Sequence, residues 1–278
     1  MTKTWFITGS SRGLGRAIAQ QALQAGDQVV ATARDTSALA SLVTTYGAQV
    51  YPLALDVTDM AAVNDAVKAA SHHFGGIDVL VNNAGFANMA SVEEMPLASF
   101  KAQMDTDFYG TLYTIKAVLP EMRKKQHGHI INISSIGGRV GGPGLGAYQS
   151  AKFAVNGLTE VVHEEVAPFN IQVTTVEPGG MRTDWGGRSM QADKATAYQA
   201  TVGQWIDLVH EQWDSDAPRY VSEPEKVAQV IYTLSDMANA PTHLLIGKDA
   251  YTSAQQHAKA LAKSDQANEA LTLSTGNL

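Results

Sequence analysis

Tyr148 and Lys152 stand four residues apart, so on a helix both side chains leave the same face. Ser135 closes an apolar stretch thirteen residues before Tyr148, and a Gly-rich loop separates the two. A phenol with a reference pKa near 10 is a reluctant proton donor in a reaction that must regenerate it near neutrality. An ammonium beside it stabilises the phenolate and lowers that pKa. A serine hydroxyl can hold a reacting oxygen against the phenol by a hydrogen bond. These residue types therefore suit proton transfer to or from an oxygen whose charge changes during a reaction. Y-x-x-x-K alone is a common coincidence, the plain alternative being a buried Tyr and a surface Lys.

A second chemical signal is TGSSRGLG at residues 8–15, between a short apolar run and a helical pattern. Gly9, Gly13 and Gly15 let the chain turn tightly and aim backbone N–H groups at a pyrophosphate on the helix N-terminus. Other candidates carry less. His72 and His73 end a helical stretch, where a cation suits the dipole. His127 and His129 flank Gly128 at an expected turn and read as structural, with no metal partner at ligand spacing. Glu93 and Glu94 read as the solvated start of a long helix.

The elements that must position these groups alternate along the chain. Apolar strands are expected at 5–8, 28–33, 50–54, 79–82, 129–134 and 172–177, with a late strand at 242–246. Helical spacing occupies 15–25, 60–74, 100–125 and 151–167. Strand and helix in alternation point to an α/β fold, a doubly wound parallel sheet of the Rossmann type. A single domain over 1–278 is expected, with 182–220 inserted as a lid over the strand ends and 264–278 as a short C-terminal extension that frays. A chain of 278 residues, 45% of them hydrophobic, is long enough to bury one such core. The net charge of −7, without a basic run, argues against a nucleic-acid partner. The absence of Cys excludes disulfides, thiol catalysis and cysteine metal sites. No apolar run approaches the roughly 20 residues of a membrane span, and the first strand starts too near Met1 for a signal peptide. The expectation is a soluble cytoplasmic protein with no membrane partner.

Read in order, TGxxxGxG at 8–15, NNAG at 82–85, Ser135, YxxxK at 148–152 and PG at 178–179 resemble the short-chain dehydrogenase/reductase family across roughly residues 3–185. The resemblance implies a nicotinamide cofactor and hydride exchange with a carbonyl or alcohol carbon. It makes Ser135, Tyr148 and Lys152 catalytic, with Lys152 also on the nicotinamide ribose. It assigns Thr8, Gly9, Ser11, Arg12, Gly13, Leu14 and Gly15 to the pyrophosphate turn, and Asp56 and Val57 to the adenine. Asn83 and Gly85 fall to the adenosine ribose, and Pro178, Gly179 and Thr183 to the nicotinamide. Asp56 or Thr58 could equally cap the following helix.

Asp35 lies at the distance where an acid usually holds the ribose 2′-OH, about 20 residues past the glycines. In relatives, however, that acid sits where Ala33 stands, and Arg34 fills the basic position of NADP users. Arg12 is a second such position, and a guanidinium matches a phosphate in geometry and charge. NADP (NADPH) is therefore the expected cofactor. The family's N-x-x-G has Asp107 in place of its Asn, the fourth catalytic position, three residues before Gly110. At about 100° per residue, Asp107 falls at the edge of the apolar stripe of its helix.

For the substrate, Ser135 and Tyr148 would face a pocket lined by Met181, Trp185 and Trp205. The loop GGRVGGPGLG at 137–146, with six glycines, suggests a roomy wall. An apolar or aromatic ketone, or the corresponding secondary alcohol, fits that lining. Relatives imply a homo-oligomer, dimer or tetramer, through 100–125 and 151–167. The competing class is a catalytically degenerate NADP(H)-sensing binding protein of the same fold, which would not need the intact Ser135, Tyr148 and Lys152. A nucleotide-sugar epimerase would show TGxxGxxG and a larger C-terminal domain, and the sequence has neither.

Overall fold

The computed structural model describes residues 2–183, 190–192, 196–214 and 222–276. In chain order the elements are β1 (Thr4–Ile7), α1 (Gly13–Gln24), β2 (Gln28–Ala33), α2 (Ala40–Tyr46), β3 (Val50–Ala54), α3 (Met60–Phe74) and β4 (Val79–Asn82). Then come β5 (Ala87–Met89), α4 (Leu97–Met104), α5 (Gly110–Lys125), β6 (Gly128–Ile133), α6 (Gly146–Val166), β7 (Ile171–Pro178) and β8 (Met190–Ala192). The chain closes with α7 (Gln204–Asp214), α8 (Pro224–Ser235), β9 (His243–Ile246), α9 (Lys248–Ala267) and α10 (Glu269–Leu273). Seven strands form one parallel sheet in the order β3-β2-β1-β4-β6-β7-β9. This is the Rossmann-type doubly wound sheet that the alternating pattern calls for, and β1 and β4 meet at its switch point. Among the described residues no helix is long and apolar enough to cross a membrane.

Side chains alternate across the strands, so each strand feeds two cores. Trp5, Ile7, Val29, Ala31 and Val81 pack under α1 and α8, while Phe6, Val30, Leu80 and Ile130 pack under α3, α5 and α6. Each fully buried large apolar side chain contributes about 1.5–3 kcal/mol. The helices begin and end where local chemistry dictates. Asp59 caps α3 by accepting from the N–H groups of Ala61 and Ala62, and Gly75 ends it in the left-handed conformation at φ +85. The cap is thus Asp59, neither Asp56 nor Thr58.

Three features depart from the sequence pattern. The helix expected at 100–125 is two, α4 and α5, joined by a π-turn over Asp105–Tyr109 in which the Gly110 N–H reaches the Asp105 carbonyl. β5 and β8 pair as a separate two-stranded sheet outside the alternating pattern. Residues 264–273, expected to fray, continue α9 and form α10 with exposed side chains.

His129 lies inside β6, 3% exposed, with Nε2 3.0 Å from Thr174 Oγ1. Thr174 donates to the Pro241 carbonyl, so it accepts from the imidazole Nε2–H, and Nδ1 makes no hydrogen bond. Burial, aided by His127 and Lys3, lowers the imidazole pKa from 6.5 to about 4. Between those values the unfolded chain binds a proton that the folded chain refuses, so stability is lost as pH falls through this window. His129→Gln keeps a donor for Thr174 without a titrating ring. Urea unfolding should show the wild type losing about 3 kcal/mol more than His129→Gln between neutral pH and pH 4.

Candidate active site

The site begins with how tightly β1 and β4 meet. Gly9 sits at φ +70 and Gly13 at φ +55, conformations that favour glycine. At Gly15 a Cβ would lie 2.4 Å from both Asn83 Nδ2 and the Gly9 carbonyl oxygen, so only glycine lets α1 come this close. The Asn83 amide donates to the Thr8 and Gly9 carbonyls at 2.9 and 3.1 Å. Thr8 Oγ1 accepts from the N–H groups of Asn83 and Ala84 at 2.9 and 3.0 Å. Thr8 and Gly15 therefore stand behind the wall of the site and shape it through Asn83.

The resulting cleft holds about 600 Å³ over the carboxyl ends of the strands. Gly9, Ser11, Arg12, Gly13 and Leu14 line it from the glycine turn, and Arg34, Asp56 and Val57 from the ends of β2 and β3. Asn83 and Gly85 follow β4; Ser135, Tyr148 and Lys152 come from β6 and α6; Pro178, Gly179, Met181 and Thr183 follow β7. Four adjacent strands from β2 to β6, at 4.7–4.9 Å spacing, put about 14 Å between its two ends, the scale of an extended dinucleotide. Trp185 lies outside the described residues. Phe86, Asn88 and Thr106 also line the cleft and carry no motif that marks them in the sequence.

At the β2–β3 end the strand stops at Ala33 without a carboxylate, and Arg12 and Arg34 line the wall. Asp35 is turned to another task, capping the next turn by accepting from the Ser37 N–H at 2.9 Å. Asp56 accepts from the Thr58 N–H and hydroxyl, which, with Arg34 nearby, hold its pKa down. Two guanidinium groups, with Asp56 occupied by Thr58 and no acid at the end of β2, fit a ribose bearing a phosphate.

At the other end Tyr148 and Lys152 are 7% and 5% exposed, one turn apart on α6. Lys152 Nζ donates to the Ile133 carbonyl at 2.9 Å and lies 5.5 Å from the centre of the Tyr148 ring. Burial drives the phenol above its ordinary value of 10; the Ser135 hydrogen bond opposes this, and the charge of Asp107 adds to it. The influence working directly against burial is thus Ser135, in place of the ammonium expected from sequence. Lys152 is itself lowered by burial and supported by Asp107. Asp107 is fully buried and stands behind the cleft wall rather than on it. Its Oδ1 accepts from the Phe86 N–H at 3.1 Å, and Oδ2 has no hydrogen-bond partner. A Cβ at Gly85 would be 3.0 Å from Asp107 Oδ1 and 3.6 Å from Lys152 Nζ, so the two groups approach through the space glycine leaves. Burial raises the Asp107 carboxyl to about 6 against the pull of Lys152, the Phe86 N–H and Gln103.

Val202 and Ile206 pack in one apolar cluster with Met89, Leu145 and Tyr148. Glu94, read from sequence as solvated, accepts from the N–H groups of Thr196 and Ala197 and from the hydroxyls of Thr196 and Ser91, which hold its pKa near 2. Glu93 accepts from the Tyr198 hydroxyl. Ser91 and Glu94 have the S-x-x-E spacing of a capping box, a signal that marks the residue without revealing its partner. Asp249, at the start of α9, accepts from the Gly180 N–H at 2.7 Å and pins the turn after Pro178. The glycine loop is open at Gly141, where a Cβ would meet nothing within 4 Å, and at Gly142, but is filled at three other positions. A Cβ at Gly138 would meet Ser134 Oγ at 2.7 Å, one at Gly144 the Trp205 ring at 2.9 Å, and one at Gly146 Val92 at 2.7 Å.

This geometry has known counterparts. A family model described as short chain dehydrogenase matches residues 3–194. Oxidoreductase BOA17 of Botryotinia fuckeliana is 48% identical over 277 residues, covering 99% of this chain and 100% of the relative. The crystal structure of a short-chain dehydrogenase from Streptomyces avermitilis superposes with a TM-score of 0.92 at 34% identity, covering 99% of this chain and 100% of the other. The structure of ElxO with NADP bound gives 0.74 at 30% identity, over 88% of this chain and 96% of that one. A sheet, a cleft and a sequence matched from end to end place this chain in the short-chain dehydrogenase/reductase family of oxidoreductases.

Proposed function

We propose that this oxidoreductase uses NADP(H) to interconvert an apolar or aromatic ketone and its secondary alcohol. The observation that carries the reading is the convergence of Ser135, Tyr148 and Lys152 on one end of a cleft whose other end presents Arg12 and Arg34. Bound nicotinamide supplies or accepts the hydride. The protein's own residues manage the oxygen. Ser135 donates a hydrogen bond to it and holds it beside the phenol. Tyr148 passes its proton to that oxygen as charge builds there, and the Ser135 hydrogen bond offsets the burial of the phenolate left behind. The Ile133 carbonyl accepts from the Lys152 ammonium, which stands 5.5 Å from the centre of the Tyr148 ring. In this reading Asp107 is a positioning residue, touching neither ligand and acting through Lys152.

The choice of NADP is supported by Arg12 and Arg34, by the occupied Asp35 and by the NADP-bound ElxO structure. The apolar substrate is supported by Phe86 and Met181 on the cleft and by Val202 and Ile206, which cluster with Tyr148. Residues 182–220 serve the same domain as its lid. The protein works as a dimer or tetramer through α5 and α6, and the exposure of Phe153 and Val161 on α6 supports that assembly.

Tyr148→Phe should lower kcat for ketone reduction by about 10²–10⁴-fold while NADPH still binds, as followed by NADPH absorbance and fluorescence. Unchanged turnover would remove the phenol from the reaction, and failure of the wild type on every ketone of a broad panel would favour a cofactor-sensing protein. Arg34→Ala should raise KM for NADPH about tenfold and leave KM for NADH unchanged.

Asp107, charged above about pH 6, supports the protonated form of Lys152. Asp107→Asn removes the limb of the kcat profile near pH 6 and moves the alkaline limb to lower pH, because Lys152 loses its supporting charge. Its kcat at neutral pH should stay within about tenfold of wild type. A wild-type profile across the pH range would separate Asp107 from the proton path.

A further inference from the structure

The reaction just described makes no use of a buried charged cluster on the β7 side of Ser135. Glu177 is fully buried, directly before Pro178 in β7. Its Oε1 accepts from Asn156 Nδ2 at 2.9 Å and from Thr175 Oγ1 at 3.2 Å, and His243 Nδ1 lies 2.8 Å away. Arg139 Nε stands 2.5 Å from Oε2. A carboxylate this buried is tolerable only with partners, since an isolated ion loses far more hydration than one hydrogen bond returns.

Each partner belongs to an element that carries part of the site. Asn156 follows Lys152 by one turn of α6, and the same Nδ2 donates to the Gly138 carbonyl at 3.1 Å. Gly138 packs so closely that a Cβ there would lie 2.9 Å from the Lys152 carbonyl. Arg139 ends the short turn whose first side chain, Ser135, accepts from the Gly137 N–H. Pro178 and Gly179, on the cleft wall, continue directly from Glu177. One carboxylate thus joins the Ser135 turn, the Tyr148–Lys152 helix and the turn after β7.

We propose that Glu177 is a positioning residue, a clamp that holds Ser135, Tyr148 and the Pro178–Gly179 turn in register, and that protonated His243 tightens it. The proposal rests on reading Ser135, Tyr148 and Lys152 as the reacting groups. His243 bridges two elements, with Nε2 3.0 Å from Glu160 of α6 and Nδ1 on Glu177 of β7. The Arg139 guanidinium, from the turn after β6, and the Thr175 hydroxyl, 2.9 Å from Nδ1, complete its surroundings. The hydrogen bond to Glu177 and the two carboxylate charges raise the imidazole pKa above 6.5, against burial and Arg139. The doubly donating bridge is therefore whole at low pH and is lost as pH rises through that raised value.

The test compares wild type, Glu177→Gln and His243→Asn, whose amide keeps a donor toward Glu177 that does not titrate. Ketone turnover, NADPH affinity and amide hydrogen exchange over 135–142 and 146–156 are measured from about pH 6 to about pH 9. Glu177→Gln should lower kcat about tenfold, change NADPH affinity less than about threefold, and speed exchange in both segments. The wild type should lose kcat and gain exchange as His243 deprotonates, and His243→Asn should flatten both pH dependences. Folded Glu177→Gln with wild-type kcat and exchange would overturn the clamp. Should that variant fail to fold, a His243→Asn profile identical to wild type would overturn it instead. A wild type that reduces no ketone would sink the reductase reading, and the exchange data alone would then decide the clamp.

Discussion

The cleft depends on how closely β1 and β4 are held at their carboxyl ends. Two parallel strands at a switch point splay the chain segments that leave them, and a ligand site forms only if that divergence is fixed. Here Asn83 fixes it, its amide bound to the Thr8 and Gly9 carbonyls while Thr8 returns its hydroxyl to the N–H groups of Asn83 and Ala84. Gly15 lets α1 close on this knot where a Cβ would collide with it. The N–H groups that start α1 are then aimed into the cleft, and every wall of the site is measured from that point.

The reacting end is governed by burial of polar groups. Thr114, Asn82, Asn132 and Thr159 form a continuous buried chain of hydrogen bonds across α5, β4, β6 and α6. An unmade bond there would cost the full desolvation of its group, so the chain admits one register of helix against strand. Lys152 and Tyr148 sit above it on α6, and Ser135 leaves the end of β6. The same dryness sets their chemistry. It disfavours phenolate, ammonium and the Asp107 carboxylate alike; Lys152 and Asp107 support each other's charge, while the phenolate is supported by the Ser135 hydrogen bond.

What could be read from the sequence follows the range of the forces involved. The sheet, the glycine turn and the Ser135, Tyr148 and Lys152 grouping are written in local periodicity and spacing, and they stand where those patterns put them. Asp107 was legible as a residue near the buried stripe, but full burial follows from the π-turn, which shifts the helical phase by one residue. The six glycines of 137–146 read as open space because a missing side chain carries no record of what fills its place. In the fold, Trp205, Val92 and the backbone of α6 press against Gly144, Gly146 and Gly138, while Gly141 and Gly142 stay open. Glu94 and Glu177 were harder still, since their partners lie more than a hundred residues away or on three separate elements.

The two ends of the pocket are held by bonds of different kinds. Glu94 and Glu93 tie down residues 196–198 from exposed positions, where water competes with every contact and the net contribution is small. Ser135, Tyr148 and Lys152 are set by buried contacts whose loss would leave charges and carbonyls unsolvated. A segment held by solvent-exposed bonds opens at low free energy, whereas one held by buried polar bonds opens only with much of the core. Residues 196–198 can therefore shift without disturbing the contacts that hold Tyr148 and Lys152. Ser135, Tyr148 and Lys152 stay fixed when that segment opens, because their contacts are buried in the core.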